Sequence, residues 1–527
     1  MIILFAFLAS FITQTNLPSL NDSISAKDIK HVIYNSIKYL DENVSVNGGY
    51  VWYYKTNLSR RWGELEAYPS MIWVQGGTVD MGNLFLDVYD VTEDEYYYNL
   101  AKKSALALIK GQLECGGWNY FIDFAGDSST KKWYSTIGAN AWRLEEFHQY
   151  YGNATFDDNV TAGAAKFLLR IYLIKKDSII KKSLDKAIEF ILKSQYPNGA
   201  WPQRFPFIKN RNDYTRYYTF NDNVIWNNIK FLILCYATLK YEKLLEPIKR
   251  GMNFFILSQY KKPQAGWAQQ YDLKLQPARA RTYEPAALDP QYTARHIEML
   301  IKFYEMTGDK KYLNAIPDAL QWVKSVVINN KDSLALVPKF VELRTNKPIY
   351  LHRKGSNLKF GSYYFDYCDS NIVIHYPCTR LINLQSIERQ YKNALQKQIN
   401  NKKANYLNLP ESNDILNLYY LIDDFLQLPS DNFMINNRNK ITSEIVNNII
   451  SKMDNHSRWL TEEVFISNPF IDGEISGDSE TKSYSISYVG DKFDTSPFPN
   501  NTNEKFISIR EYIKNIKILL NYIKRTL

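Results

Sequence analysis

The chain has 527 residues, 45% of them apolar, which is enough for one large domain or up to three ordinary ones. Its 64 basic and 55 acidic residues give a formal net charge of +9, a mild excess that slightly favours acidic partners. The sequence has no long run of basic residues and no P-loop or GxGxxG motif, so nucleic-acid and nucleotide binding have no specific support.

The N-terminal stretch MIILFAFLASFITQT is apolar and has the length of a signal peptide. We interpret residues 1–20 as a signal peptide, although a positively charged start and a clean cleavage site are missing. No later segment reaches the roughly 18 apolar residues of a membrane span. We therefore expect an exported bacterial protein, secreted or held in the periplasm or at the cell surface, and residues 21–527 are predicted to form one domain.

A repeated unit follows, in which an apolar helix ends near a glutamine and a turn leads to a small residue and a tryptophan. The three copies place Gln112 before Gly117-Trp118, Gln195 before Ala200-Trp201, and Gln259 before Gly266-Trp267. Apolar helices lie between the copies, and each pair of helices needs neighbours to bury its second face. The pattern predicts an all-α fold, an (α/α) toroid of antiparallel helix pairs. An open helical solenoid, with the tryptophans as simple core residues, is the alternative.

The sequence pattern changes from helical to strand-like after about residue 335. The segments LVPKFVEL, KPIYLHR, YYFDYC and NIVIHYP are typical of short strands, so β excursions are expected at about 335–380. Helices are predicted at 381–399, 413–426 and 440–453, an irregular stretch at 455–505, and a final amphipathic helix. The spacing of Cys368 and Cys378 would also permit a local disulfide.

Two similar acidic motifs, TFDDN at 155–159 and TFNDN at 219–223, each precede an apolar helix. One reading is helix capping, because Asp and Asn side chains accept hydrogen bonds from first-turn amides. The other reading is a site for a hard cation such as Ca²⁺, because the ligands are oxygens without His or Cys. The sequence contains no HExxH and no GxSxG, so zinc-protease and serine-hydrolase chemistry have no support.

Six short motifs occur in order between about residues 150 and 355, and together they resemble the pectate lyases of polysaccharide lyase family 10, also called the pectic acid lyase family. They are NATFDDN, QYPNGAWPQRFP, YTFNDN, GWAQQYD, PARARTYEP and ELRTNKPIYLHRKG. The resemblance implies an (α/α) toroid that cleaves de-esterified homogalacturonan by calcium-assisted β-elimination. It also implies an acidic polysaccharide as partner, and we expect a monomer.

The motifs that carry the resemblance imply roles for particular residues. Asp157 and Asp222 would bind Ca²⁺, Arg281 would remove the C5 proton, and Arg353 would bind substrate. We further predict that Glu284 orients an arginine and that Arg279 pairs or binds a neighbouring uronate. Further substrate contacts are predicted for Trp201, Arg204, Asn223, Trp267 and Gln270, with core packing as the alternative for the tryptophans. Two departures, Ala200 for Gly and Ala286-Ala287 for Pro-Ser, change no charge.

Two other functions stay open from the sequence alone. An (α/α)-toroid glycoside hydrolase could use Asp157 and Asp222 as its two carboxylates without calcium. A non-catalytic protein that binds acidic polysaccharide could use the same residues for recognition.

Overall fold

A computed structural model describes residues 24–331, 334–354, 362–373, 376–397, 399, 406–432, 441–467, 498–499 and 503–526. The predicted signal peptide lies outside these ranges. None of the helices within them combines the length and apolar composition needed to cross a bilayer.

Seventeen α-helices are found within the described residues. They are α1 (Ala26–Tyr39), α2 (Val79–Thr92), α3 (Glu95–Lys110), α4 (Asp127–Ser135), α5 (Leu144–Phe147), α6 (Val160–Lys175), α7 (Ser178–Ser194), α8 (Val224–Leu239), α9 (Leu245–Leu257), α10 (Pro290–Thr307), α11 (Lys311–Asn314), α12 (Ile316–Ser325), α13 (Leu384–Gln396), α14 (Ile415–Phe425), α15 (Pro429–Asn432), α16 (Ser443–Ser451) and α17 (Ile509–Thr526).

The strands are short and nearly all lie in the connections between helices. They are β1 (Tyr53–Lys55), β2 (Arg61–Trp62), β3 (Met71–Trp73), β4 (Phe121–Asp123), β5 (Ala154–Thr155), β6 (Arg204–Phe205), β7 (Tyr218–Thr219), β8 (Gln270–Tyr271), β9 (Ala287–Leu288), β10 (Asn329–Lys331), β11 (Leu334–Pro338), β12 (Phe340–Glu342), β13 (Pro348–Lys354), β14 (Ser362–Asp366), β15 (Thr379–Ile382), β16 (Leu460–Thr461), β17 (Phe465–Ile466), β18 (Phe498–Pro499) and β19 (Phe506–Ser508).

The (α/α) toroid predicted from the repeats is confirmed. Consecutive helices pack as pairs: α2 on α3, α6 on α7, α8 on α9, and α10 on α12. The first helices of three pairs also pack in succession, α2 on α6 and α6 on α8, and α17 packs on α1 and α2. The inner helices α6 and α8 are buried along most of their length, whereas α7 buries only one face, which includes Ile180, Leu184, Ile188 and Ile191. This division into inner and outer helices explains why some helices are apolar throughout and others are amphipathic.

The repeated glutamine joins each outer helix to the next one. Gln112 Nε2 donates to Gly116 O at 2.8 Å and to Ser183 O of α7 at 3.0 Å. Gln195 Nε2 donates in the same way to Gly199 O and to Pro247 O of α9. Gln259 Nε2 donates to Ala265 O and to Ala315 O. Each amide therefore satisfies a turn carbonyl and a carbonyl of the next helix pair. The repeated glutamine holds neighbouring pairs in register.

The repeated tryptophan also stabilises the connection between the helices of each repeat. The indole Nε1 of Trp118 donates at 2.8 Å to Leu108 O near the end of the preceding helix. Trp201 and Trp267 donate in the same way to Ile191 O and Phe255 O, each at 2.8 Å. A tryptophan far along the chain, Trp459, makes the equivalent bond to Ile449 O of α16 at 2.9 Å. The tryptophans thus cover the helix ends from inside the core.

Several boundaries differ from the sequence predictions. The helix expected over KKYLNAIPDALQWVKS is divided at Ala315 into α11 and α12, and Pro317 lies in the first turn of α12. The final helix starts at Ile509, because residues 506–508 pair in the strand β19 with β1 and β16. NIVIHYP forms no strand in its described residues. Part of the stretch 455–505 forms β16, β17 and β18, and much of the rest lies outside the described residues. Cys368 and Cys378 are free thiols, so the suggested disulfide is absent.

Candidate active site

Small two-stranded ladders hold the two acidic motifs beside the Trp-bearing segments. Strand β5 pairs with β6, setting Thr155 opposite Arg204, and β7 pairs with β8, setting Thr219 opposite Gln270. After each ladder the chain makes a short 3₁₀ turn and enters an inner helix, α6 or α8. The two turns contact each other. The internal repeat therefore brings both acidic motifs to one place.

Each acidic motif contains two consecutive residues in the left-handed backbone region. Asp158 and Asn159 have φ of 48° and 59°, and Asp222 and Asn223 have φ of 50° and 57°. Asp and Asn tolerate this region better than most residues. Neither motif makes a side-chain capping bond to its helix, so the capping interpretation is wrong. The two motifs instead bring their carboxylates close to one another.

Three carboxylates converge as a result. Asp157, Asp158 and Asp222 each offer an oxygen, and these oxygens lie within 4.8 Å of one another. Burial, and then the charges of Asp157 and Asp158, raise the pKa of Asp222 well above its ordinary value. Asp157 is fully buried, and no donor reaches its Oδ1 atom. A buried carboxylate oxygen without a donor, next to two further carboxylates, fits a hard cation.

The other oxygen of Asp157 is crowded with donors. Its Oδ2 accepts from Arg143 Nη2 and from the Tyr120 hydroxyl, both at 2.6 Å, and from Arg281 Nη2. Burial by itself would raise the pKa of Asp157, but Arg281 and Arg143 outweigh it, so the pKa is lowered. Asp157 therefore remains ionised, with one oxygen paired and one oxygen left for the cluster.

Arg281 is the centre of a buried charge network. Its Nη1 donates to both oxygens of Glu284, at 2.9 and 3.1 Å, and its Nε donates to Glu146 Oε2 at 3.3 Å. Burial disfavours the charged guanidinium, but Asp157 and Glu284 more than compensate and raise the pKa of Arg281 well above its usual value. Arg281 is thus a firmly held cation with 1% of its surface exposed.

The loop of Arg281 is fixed from both sides. Thr282 N donates to Glu145 Oε1 at 2.8 Å, and Asn221 Nδ2 donates to Glu284 Oε1 at 3.1 Å. Just after the loop, β9 pairs with β12 in a four-stranded sheet of order β14-β13-β12-β9. The predicted orienting contact of Glu284 with an arginine is therefore present, and that arginine is Arg281. Arg279 points elsewhere: it is exposed and donates to Thr282 O at 3.2 Å.

Four residues predicted to touch substrate are instead buried in the frame of the site. Trp201 and Trp267 have no exposed surface on which a sugar could stack, so their predicted role is wrong and core packing describes them. Arg204 is 1% exposed and pairs with Glu146 at 2.7 Å. Gln270, also 1% exposed, donates to Gln203 Oε1 at 3.2 Å. Arg204 and Gln270 are thus held by protein partners, as Arg281 is, and their predicted substrate contact stays a prediction.

The remaining predicted substrate residues are Asn223 and Arg353, and their substrate contacts stay predictions. Asn223 follows Asp222 and accepts from Arg295 Nε at 3.3 Å. Arg353 lies on β13 with its guanidinium 5.9 Å from the Tyr363 ring centre, and it is 1% exposed.

Several important residues carried no repeat signal and were missed from the sequence. Arg143 bridges Asp157, Asp158 and Glu64, with contacts of 2.6, 3.0 and 2.7 Å. Glu146 accepts from Arg204, Arg281 and the Tyr214 hydroxyl. Burial would raise the pKa of Glu146, but the two arginines lower it to about 2. Both residues come from the segment WRLEEFHQY, which has no counterpart elsewhere in the chain.

Lys339 is a further buried cation near the site that the sequence did not reveal. Its Nζ lies 3.7 Å from the ring centre of Tyr376, whose hydroxyl donates to Glu284 Oε1 at 3.0 Å. Burial, and then Arg380, lower the pKa of Lys339 to about 8, although Asp289, Glu284 and Asp222 act in the opposite direction. A lysine of this kind is a positive group whose charge changes at mildly alkaline pH.

The spacing of the carboxylates argues against glycoside hydrolysis by Asp157 and Asp222. Two carboxyl groups that flank a glycosidic bond lie about 5–9.5 Å apart, depending on the mechanism. Asp157 and Asp222 are closer, because each has a carboxylate oxygen within 4.8 Å of the other's. This arrangement suits one cation held between them, next to a guanidinium, better than an acid and a base on either side of a sugar bond.

The comparisons with known proteins agree with the acidic and arginine motifs. Residues 123–366, which include Asp157, Asp222, Arg281 and Arg353, match the model of the pectic acid lyase family. None of the curated proteins compared with the chain matches it.

Similar solved structures include two of a family 10 polysaccharide lyase from Cellvibrio cellulosa. A mutant in complex with trigalacturonic acid is 16% identical, covering 60% of this chain and 98% of that one, with a TM-score of 0.38. Another structure is 18% identical, covering 51% and 84%, with a TM-score of 0.32. A D-mannose isomerase is 10% identical, covering 97% and 100%, with a TM-score of 0.43.

Proposed function

We propose that this chain, a polysaccharide lyase whose residues 123–366 match the pectic acid lyase family, cleaves α-1,4-linked polygalacturonate by calcium-assisted β-elimination. The observation that carries the proposal is the meeting of Asp157, Asp222 and Arg281 in one buried network. A solved family 10 polysaccharide lyase holds trigalacturonic acid, an acidic oligosaccharide of the proposed substrate class. The product would be a 4,5-unsaturated oligogalacturonide.

Asp157, Asp158 and Asp222 are the residues that would hold Ca²⁺. The donor-free Oδ1 of Asp157 and the raised pKa of Asp222 support this assignment, because a cation here would bind the oxygen that no donor reaches and would favour the ionised form of Asp222. When bound, Ca²⁺ would act as a Lewis acid on the uronate carboxylate and offset the charge that builds up as the C5 proton leaves. The family match is consistent with this chemistry.

Arg281 is the proposed catalytic residue. As a cation it would stabilise the negative charge that develops on the uronate. As the proton acceptor it must first become neutral, which Asp157, Glu284 and Glu146 oppose in the geometry described here. Positive charge on the Asp157 side of the site would weaken that opposition and lower the pKa of Arg281. We propose that Arg281 abstracts the C5 proton only when the carboxylate cluster has been neutralised.

The product distinguishes this proposal from hydrolysis. Elimination forms a carbon–carbon double bond that absorbs ultraviolet light, whereas hydrolysis produces reducing ends alone. Digestion of polygalacturonate should therefore give reducing ends and ultraviolet absorbance in equal amounts. Reducing ends without absorbance would point to the glycoside hydrolase, and binding without either product would point to the non-catalytic alternative.

The role of Arg281 can be tested by R281K, which keeps the charge but not the forked geometry. We expect kcat to fall by about 100-fold or more, the usual size of a general acid–base contribution. The control is R250K, because Arg250 is exposed on the outer helix α9. Equal rates for R281K and R250K would contradict the assignment.

A further inference from the structure

A cavity of 1020 Å³ shares no lining residue with the carboxylate cluster and is not used by the proposed chemistry. Its walls come from α10, from β15 and α13, and from the segment after α14, and its lining includes Arg295, Glu298, Arg380, Arg389 and Ser430. The volume is at the upper end of the range of about 300–1,000 Å³ that small-molecule sites occupy. Leu336, Leu381, Ile382 and Ile387 add apolar surface to the lining.

Two arginines of this cavity, Arg380 and Arg389, form no ion pair among the described residues, although Arg380 is near enough to Asp289 to act on the pKa of that carboxyl group. Arg380 donates to Pro377 O at 2.8 Å, to Thr379 O at 3.0 Å and to Gln291 Oε1 at 3.1 Å, all uncharged acceptors. Arg389 is exposed and forms no ion pair within the part of the chain that the structure describes. Two guanidinium groups that face one cavity in this way are ready to bind an anion.

The acidic residues of the lining do not neutralise these arginines. Glu298 accepts from Gln390 at 3.2 Å and from the Ser430 hydroxyl, and burial raises its pKa. Asp424 is exposed at the rim. Arg295 is already paired with Asp431 at 2.7 Å. The available positive charge is therefore that of Arg380 and Arg389.

One hydrogen bond and a set of charge interactions connect the cavity with the carboxylate cluster. Arg295 donates from Nε to Asn223, the residue that follows Asp222. Arg380 is close enough to Lys339 for their charges to interact, and Lys339 interacts likewise with Asp222 and Glu284. Lys339 and Arg380 thus place positive charge between the carboxylate cluster and the cavity.

We propose that this cavity is a further subsite for the acidic polysaccharide, where Arg380 and Arg389 bind the carboxylate of a uronate away from the cleaved bond. The proposal rests on the proposed function, since it names a second point of contact for the same substrate. Both arginines follow residue 366, where the match to the pectic acid lyase family ends. The two arginines of the subsite therefore belong to the part of the chain that the family match does not cover, whereas α10 contributes a wall from within the match.

The test compares short and long substrates, by calorimetric binding and by initial rates. The variants are R389Q and R380Q, and the control is K392Q, which removes the same charge from an exposed position of α13 outside the cavity lining. For R389Q we expect affinity for hexagalacturonate to fall about tenfold relative to K392Q, with a much smaller change for trigalacturonate. The ratio of kcat/KM for the hexamer to that for the trimer should fall with it. R380Q should act in the same direction.

The possible outcomes separate the two proposals. If R389Q and R380Q match K392Q while the wild type forms unsaturated product, the subsite is wrong and the lyase proposal stands. If the hexamer binds through Arg389 but no unsaturated product forms, the lyase proposal is wrong and the subsite stands. Equal losses of affinity for hexagalacturonate and trigalacturonate would overturn the subsite. It would also be overturned if the wild type did not bind hexagalacturonate.

Discussion

At position 157 one carboxylate oxygen accepts from two arginines and a tyrosine, while the other has no donor and lies beside Asp222. Asp157 and Asp222 therefore have opposite effects on the stability of the calcium-free protein. Asp157 is the anion that Arg143 and Arg281 need, because a buried cation without its partner is costly. Asp222 adds negative charge to a site that already has it, and this is stabilising only when a cation binds.

This contrast predicts opposite effects of two isosteric substitutions in the absence of calcium. D157N should lower the free energy of unfolding by about 3 kcal/mol, because it leaves two buried guanidinium groups short of a carboxylate. D222N should raise it. The folded pKa of Asp222 is above its ordinary value of 3.8, so the native state loses stability as pH rises from 3.8 through the folded pKa.

Chemical unfolding of both variants in chelator at neutral pH measures these effects. The gain from D222N should disappear near pH 4, where Asp222 is protonated in both states. When calcium is added, the order should reverse and wild type should become more stable than D222N. Destabilisation by D222N in chelator would contradict this view of the cluster.

Lys339 provides a second test at the residue scale. Its pKa falls from 10.5 to about 8 on folding, which corresponds to a cost of about 3 kcal/mol at neutral pH. Because the unfolded chain holds this proton more tightly, wild type gains stability as pH rises from 8 to 10.5. K339M should therefore be about 2 kcal/mol more stable than wild type at pH 7, after the lost contact with Tyr376 is allowed for.

The advantage of K339M should shrink as the pH approaches 10, which urea unfolding of both proteins at several pH values can follow. A difference that is independent of pH would show that Lys339 is not the group responsible.

At the scale of secondary-structure elements, the repeat of helix, glutamine, turn and tryptophan builds the frame on which the site stands. Gly116 and Gly199, with φ of 106° and 97°, occupy the turns, and a Cβ on either would lie 2.4 Å or less from a carbonyl of the next outer helix. The spacing of these residues reveals the repeat in the sequence. It does not distinguish a tryptophan that faces a ligand from one that covers a helix end, since both follow the same turn.

The structural role of the tryptophans predicts the result of W201F. We expect a loss of about 2–3 kcal/mol of unfolding free energy, because the substitution leaves a cavity and removes the bond to Ile191 O. W118F should cost a similar amount, since Trp118 makes the equivalent bond in the preceding repeat. KM for polygalacturonate should stay within about twofold of wild type for both. Unchanged stability of W201F together with a raised KM would restore the sugar-stacking role.

At the scale of the whole molecule, the toroid joins residues that are far apart in the chain. Asp157 and Arg281 are 124 positions apart and in contact, and Arg281 reaches Glu146 across 135 positions. The ordered motifs predict Asp157, Asp222 and Arg281 because each is set in a recognisable local pattern. Arg143 and Glu146 could not be predicted, because what makes them part of the site is the folded distance to Asp157 and Arg281.

The central claim is that Asp157 and Asp222 hold the calcium ion that the elimination requires. The most direct measurement is the initial rate of ultraviolet absorbance on polygalacturonate as a function of free calcium, for wild type and for D222N. We predict that the wild-type rate disappears in chelator, returns when calcium is restored and saturates, whereas D222N needs at least about tenfold more calcium or stays inactive. A wild-type rate that is the same in chelator and in calcium would contradict the account.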